Sequence, residues 1–286
     1  MSFIHLFLRS LKKSKPFFYI SKKSEFIKLE NEFLKANLLG VDCEFDWRRT
    51  YFPKLSTIQI VINEKLFLID CLKVNPHNFL KKAFEDKKIL KIFHSARSDA
   101  TVLSKCLNII TKNVFDIQVA EKKLINGDIE SYGKLVERYF KIKLNKNETN
   151  SNWLKRPLSE SQIKYALGDV DFLIEIFELQ KKKLIKKNIY NEVLNLSEIE
   201  VSLGNKSLKE IRVKKLKNKI SKRNLEIFKW REDLAQQANV PPAFILKDNK
   251  IKELSKIISN DSKARKNIMK ITGDTNLTDS FISKFL

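Results

Sequence analysis

The chain has 286 residues, 43% of them hydrophobic, with only 6 Gly and 6 Pro, a composition that excludes disordered and collagen-like classes and suffices for one medium domain plus a small one. Its formal net charge is +22, which draws polyanions and makes nucleic acid the first candidate partner, the plain alternative being a lysine-rich solvated surface. Cys43, Cys71 and Cys106 show no CxxC spacing and no nearby His pair, so they read as reduced thiols of a cytoplasmic protein, and no run approaches the ~20 apolar residues of a membrane span.

The opening, MSFIHLFLRSLKKSKPFF, is basic, free of acids and rich in Phe and Leu, a pattern that resembles an organelle transit peptide. PFFYI nevertheless runs directly into SKKSEFIKLENEFLKAN, which reads as a first strand and helix, so a slightly extended N-terminus is expected instead. LLGVDCEF alternates with the strand period: Val41, Cys43 and Phe45 on one face, Asp42 and Glu44 on the other. With LSTIQIVI, the short connection NE and KLFLID, it predicts a β-meander. A polar helix near 77–86, a buried strand ILKIF at 89–93, a helix over HSARSDATVLSKCL and a strand at VFDIQ come next. From about residue 118 the pattern is helical, through SYGKLVERYF and ESQIKYALGDVDFLIEIFELQKKKL. Strands first and helices after predict an α/β domain over residues 18–204.

The stretch 205–223 is dominated by Lys and Arg with a single acid. The segment reads as a hinge or as the basic first turn of the next element; the expected division is a basic hinge at 205–216 and a small all-helical domain at 217–286. Its first apolar stripe is Leu225, Phe228 and Leu234, its second Ile251, Leu254 and Ile258, on helices around Pro241-Pro242. Trp230 falls with the core residues, and Gly273 marks a turn. The lysines of 205–223 would add sequence-independent, salt-sensitive affinity for a nucleic acid.

Four acids stand inside otherwise apolar stretches: Asp42 and Glu44, Asp99 in HSARSDATVL, and Asp169 in YALGDVDFL. A buried unpaired carboxylate is costly, so something must compensate it. Asp42 and Glu44 share a strand face, Tyr165 and Asp169 stack four apart on a helix, and Asp99 stands near the start of another helix. Gathered in one cleft, the acids would raise each other's pKa unless cations neutralised them. Two Mg²⁺ or Mn²⁺ ions suit hard oxygen ligands, and carboxylate-held metal pairs commonly cut phosphodiesters. The Tyr165 hydroxyl would orient or help deprotonate the attacking water.

These residues carry a resemblance. VDCEFDWRRTYFPKLSTIQI, KIFHSARSDATVL and SYGKLVERYFKIKLNKNETNSNWLKRPLSESQIKYALGDVDFL are similar to the three motifs of the ribonuclease D family, DEDD-superfamily 3′–5′ exonucleases with a tyrosine in the third motif. His94, Ala96 and Asp99 match its HxAxxD pattern, and the third segment carries its LxKxExxSxW run. The resemblance spans about residues 20–200. It implies a ribonuclease H-like exonuclease fold, a mixed sheet flanked by helices, that releases nucleoside 5′-monophosphates from RNA 3′ ends, with tRNA precursors the usual substrates. It also implies that Asp42, Glu44, Asp99 and Asp169 bind metal, Asp42 bridging both ions and Asp99 acting through water, and that Tyr165 is the catalytic tyrosine. LEIFKWREDLAQQANVPPAFIL resembles the helicase-and-RNase-D C-terminal (HRDC) domain, of which family members often carry two where this sequence shows one. The usual DTEF is DCEF here, but position 43 faces the core and no loss of chemistry is expected. A monomer is expected. Two other readings stay open: a 3′–5′ exonuclease acting on DNA, and a non-catalytic RNA-binding module.

Substrate contacts are expected from four residues, each with a structural alternative. Gln59 is either a contact to the terminal sugar or a strand-edge polar residue, and His94 either a phosphate contact or a helix-capping histidine. Trp153 would stack on a base or, the preferred reading, wedge the loop under the third-motif helix. Arg156 would meet a phosphate or form a loop salt bridge; Lys146 is a weaker case of the same kind.

Overall fold

A computed structural model describes residues 15–286 apart from 34 and 260; the basic opening read above as an extended N-terminus lies mostly outside them. The described residues divide into two units, one of those up to 46 with 54–205, the other of 47–53 with those from 206 to 286.

The first unit is built on six strands: β1 (Phe17–Ile20), β2 (Leu38–Asp46), β3 (Lys54–Ile62), β4 (Lys65–Asp70), β5 (Leu90–Phe93) and β6 (Val114–Asp116). Their order in the sheet is β1-β4-β3-β2-β5-β6. The expected meander is present as antiparallel β2–β3 and β3–β4 pairs, while β1, β5 and β6 join in parallel. VFDIQ yields a strand only to Asp116, because the Asp116 carboxylate caps a helix that starts at Ile117.

Helices cover both faces. On one, α1 (Phe26–Phe33), α2 (His77–Glu85) and α3 (Ala96–Leu107) pack Leu29, Leu80, Ala100 and Leu103 against Leu39, Val41 and Cys43 of β2. On the other, α4 (Ile117–Ile125), α5 (Tyr132–Phe140), α6 (Glu160–Asp171) and α7 (Leu173–Lys186) supply Ala120, Leu135, Val170 and Leu173 to a second cluster. α8 (Tyr190–Asn205) lies along α3, its Gly204 carbonyl accepting from the Thr101 hydroxyl at 3.0 Å. The long helical run read from the sequence breaks at Phe172, whose amide donates to the Tyr132 hydroxyl at 3.1 Å rather than continuing the helix ladder.

The second unit holds α9 (Leu208–Leu216), α10 (Lys222–Ala238), the short turn α11 (Pro242–Ile245), α12 (Asp248–Leu254), α13 (Ser262–Thr272) and α14 (Thr275–Phe285). Residues 205–216, expected as a hinge, are largely helix: Ser207 and Glu210 form a reciprocal capping box, and Leu208 is buried with Tyr51 and Ala235. Leu225, Phe228, Ile251 and Leu254 are buried and Leu234 partly so, around Trp230, Ile268 and Phe281. Ile258 is 81% exposed because α12 ends at Leu254, before the stripe reaches it. Gly273 ends α13 at φ +70, the left-handed cap a glycine adopts freely. No helix of the described residues is long and apolar enough to cross a membrane.

Two glycines test this packing from opposite sides. A Cβ on Gly40 of β2 would come 2.6 Å from Val61 and 2.9 Å from Leu173, whereas one on Gly168 in α6 meets nothing within 4 Å. Gly40→Ala is expected to destabilise by about 1–3 kcal/mol through overpacking. Gly168→Ala is expected to stabilise by about 0.5–1 kcal/mol through helix propensity. Denaturant titrations of the two variants should move in opposite directions.

Candidate active site

Because β2 turns Leu39, Val41 and Cys43 into one core, the strand period sends Gly40, Asp42 and Glu44 to the opposite face. β5 pairs with β2 only over Leu38–Gly40. The sheet therefore opens on that side where the two acids stand, beyond the end of a parallel strand, the usual place for a ligand in such sheets. A register shift against β3 follows Glu44, a bulge of the kind that re-aims side chains beside active sites. α6 packs over β2, β3 and β4. Its entry is fixed by Ser159 and Gln162, which exchange hydrogen bonds of 3.0 and 3.1 Å, while the Gln162 amide also donates to Ser151 at 2.8 Å.

The result is convergence. Carboxylate oxygens of Asp42, Glu44 and Asp169 lie within 4.8 Å of one another, each side chain half-buried. Asp99, in the first turn of α3 and 3% exposed, stands behind them, held by the Cys43 thiol and by the Ser98 hydroxyl at 3.3 Å. Burial raises all four acids. Glu44 is pushed up to about 9, with Asp169 and Asp99 adding to the effect, and Asp42 is driven well above the carboxylate range by burial and then by Asp99, Asp169 and Glu44. Asp99 rises to about 7 and Asp169 to about 6, the latter restrained by the Tyr165 hydroxyl and Lys146.

Tyr165 is also raised, by burial and then by Asp169, so its hydroxyl keeps its proton; Thr149 Oγ1 lies 3.3 Å from it. The cleft has a volume of about 260 Å³, and Asp42, His94, Tyr132, Lys146, Tyr165 and Asp169 are among its lining residues. Lys146 lies over Gly133, where a Cβ would approach its Cε to 2.8 Å, and its ammonium donates to Ser131 Oγ at 3.3 Å. Lys146 is the weaker of the two candidate phosphate contacts that the sequence offers in this loop, and Thr149 is a residue that sequence reasoning misses. Lys146 is the Lys of the LxKxExxSxW run, whereas Thr149 falls at one of its open positions and carries no sequence signal.

Residues 17–185 match the family described as 3′-5′ exonuclease, and residues 223–273 match the HRDC domain. The chain belongs to the 3′–5′ exonuclease family. It is 33% identical over 248 residues to ribonuclease D of Desulfotalea psychrophila, covering 83% of this chain and 66% of that one. It is 34% identical over 231 residues to ribonuclease D of Bartonella henselae, covering 77% and 56%. The chain thus spans less than two thirds of the length of these relatives. Among solved structures, Escherichia coli RNase D superposes with a TM-score of 0.82 at 21% identity, covering 93% of this chain and 74% of that chain. Trypanosoma brucei RNase D in complex with RNA U12 gives 0.62 at 18% identity, covering 71% and 75%. The expected mixed-sheet exonuclease fold with a helical HRDC domain is therefore the observed one.

Against this family frame, the four expected substrate contacts separate. His94 lines the cleft, its Nε2 donating to the Glu130 carbonyl at 2.9 Å and its ring meeting Tyr132 edge-on at 5.7 Å; burial holds its pKa down, so the ring stays neutral. Gln59 sits opposite Asp42 in the β2–β3 register but is 0% exposed, donating to Thr57 Oγ1 at 2.6 Å. It has no surface to offer a sugar. Trp153 is 3% exposed among Leu68, Leu158 and Ala166, with Tyr165 5.9 Å away, so it is the wedge and not a base platform. Arg156 forms the loop salt bridge: Nε and Nη2 grip Asp70 at 2.7 and 2.8 Å, Nη1 donates to Trp153 O, and Nη2 also reaches Ser56 Oγ. Its donors are spent inside the fold, which leaves none for a phosphate.

The donor set fits divalent cations. All four groups are hard carboxylate oxygens, they stand close enough to repel, and Asp42 and Glu44 have no ion pair among the described residues. The sign of the pH effect follows. An acid whose folded pKa lies above its unfolded value of about 4 makes the folded state bind more protons, so stability falls as pH rises between the two. For Asp169, Asp99 and Glu44 that window runs from about 4 up to about 6, 7 and 9. In EDTA, thermal stability is expected to decline across this window. Glu44→Gln should blunt the decline and, at pH 8, gain about 1 kcal/mol, or roughly 2–4 °C, by scanning calorimetry.

Proposed function

We propose that the chain is a metal-dependent 3′–5′ exoribonuclease that removes nucleoside 5′-monophosphates one at a time from RNA 3′ ends, with tRNA precursors as its substrates. The observation that carries this reading is the convergence of Asp42, Glu44 and Asp169 oxygens within 4.8 Å, at a cleft of about 260 Å³ that Asp42, Tyr165 and Asp169 line. Asp42, Glu44 and Asp169 would hold the ions directly, with Asp99 behind them. Two divalent ions, Mg²⁺ or Mn²⁺, would supply positive charge to sharpen a water nucleophile and stabilise the leaving oxygen.

The chain's own groups do the rest. The Tyr165 hydroxyl, protonated and fixed beside Thr149 and Asp169, orients the attacking water rather than removing its proton. Water oxygen bonds to the phosphorus of the last nucleotide as the bond to the 3′ oxygen of the preceding one breaks; the water's proton is released to solvent, and the 3′ oxygen takes one from solvent as it leaves as a hydroxyl. Lys146, the cation lining the cleft, meets the phosphate as a point charge. Neutral His94 presents a hydrogen-bonding edge to the end nucleotide. Trp153 and Arg156 support this wall from beneath.

Binding of longer RNA draws on the lysines of 205–223 and is sequence-independent. The Trypanosoma brucei RNase D structure in complex with RNA U12 supports RNA as the polymer class. The three free thiols suit the reducing cytoplasm.

End-labelled RNA should shorten stepwise with Mg²⁺ or Mn²⁺ and stay intact in EDTA or with Asp169→Asn. A matched deoxyribonucleotide degraded equally fast would replace RNA by DNA in the reading, and an inert wild type under every divalent ion would end it. Tyr165→Phe is expected to lower kcat by roughly 10²-fold or more while calorimetric Mn²⁺ binding persists. Asp42→Asn should lose both.

A further inference from the structure

We infer that Asp116, which lies outside the cleft, is a positioning residue for the nuclease centre, setting Asp99 and His94 through the turn at Ser95; the inference rests on the nuclease reading above. Asp116 ends β6 and is 1% exposed. Its carboxylate serves two helices at once. Oδ1 accepts from the amides of Ser95 at 3.0 Å, Gln118 at 2.9 Å and Val119 at 3.4 Å, while Oδ2 accepts from the Ala96 amide at 2.8 Å. Its own amide donates to Ser197 Oγ of α8 at 2.9 Å. A negative charge at two helix N-termini is doubly favourable, since both present free N–H groups and the positive end of a dipole.

The consequence is local. Ser95 adopts φ 67, ψ 53, a conformation uncommon for a non-glycine residue and worth a compensating contact. Asp116 provides it, fixing the amides on both sides of the Ser95 Cα–C bond. This one residue separates two cleft functions. His94 precedes it in the chain, and α3, which follows it, carries Asp99 in its first turn. Gln118, whose amide is also held by Asp116, donates through Nε2 to the same Glu130 carbonyl that receives His94, at 2.9 Å. Rotating the Ser95 turn would therefore move the ring and the acid together. Outer partners of this kind typically carry 10–100-fold effects on metal affinity or activity.

Asp116→Asn keeps the shape but weakens the acceptor shared by four amides. The expected result, with circular dichroism confirming the fold, is about a tenfold or greater loss of Mn²⁺ affinity by calorimetry and a 10–100-fold fall in kcat on RNA. The KM for RNA should stay within twofold. Adding Ser95→Gly should recover most of both losses, because glycine adopts φ 67 without help. An Asp116→Asn protein that melts earlier yet binds Mn²⁺ and turns over like the wild type would reduce Asp116 to an ordinary cap and overturn the inference. If Asp116→Asn does not fold, Ser95→Val, a β-branched residue at the same positive φ, must show the same split; wild-type behaviour there overturns it equally. A wild type that binds Mn²⁺ but degrades no RNA defeats the nuclease reading alone, since the Mn²⁺ arm still decides the role of Asp116.

Discussion

Four carboxylates crowd the open end of the sheet, and their mutual repulsion is the constraint that the first unit is organised around. Burial and proximity both favour the protonated forms, as the upward displacement of Asp42, Glu44, Asp99 and Asp169 records. Repelling groups stay together only when the elements bearing them cannot yield. Here two of the acids ride on a strand paired on its β3 side, and the others on helices whose starts are tied down: α6 by Ser159, Gln162 and Ser151, α3 by Asp116. Even the absent side chain of Gly40 belongs to this logic, since it lets Leu173 close on β2 just before the acids begin. Rigid support of this kind is what separates a site from a surface cluster of acids.

Much of this was legible in the chain. The two-residue alternation of LLGVDCEF assigned Asp42 and Glu44 to one face, and the four-residue interval of Tyr165 and Asp169 stacked them, because both periods are backbone geometry and survive any tertiary context. The long-range partners were not legible. Arg156 looks like a free cation in its loop, but it closes on Asp70 and Ser56, 86 and 100 residues away. Gln59 does stand on the strand beside the acids, opposite Asp42, yet alternation reports which face a residue occupies and not how deeply a later helix covers it. The basic run 205–223 hid a helix because its apolar signal is sparse: Leu208 is the one fully buried residue of α9, and the capping box at Ser207 outweighs the lysines.

The same comparison separates working polar residues from supporting ones. Arg156 and Asp116 have every nearby partner a charged group needs, so the fold consumes them. Lys146 has a single long hydrogen bond to Ser131, and Asp42 and Glu44 have no cation facing them among the described residues. Groups left under-compensated at a partly open position are the ones with interaction capacity to spare for a ligand. The criterion ranks Lys146 above Arg156, the reverse of the order that residue type and loop position suggest.

It also bears on what the molecule recognises. The cleft's lining has one cation, one neutral imidazole and two tyrosines beside the acids, in a volume of about 260 Å³. Ser131, Asn145 and Thr149 complete the polar lining with hydroxyl and amide groups that both donate and accept. An excess of positive charge such as this chain carries is blind to sequence wherever it meets a nucleic acid, since it senses only the phosphate backbone. On the exoribonuclease reading proposed above, selection would then rest on geometry, on whether a 3′ end is single-stranded enough to enter the cleft.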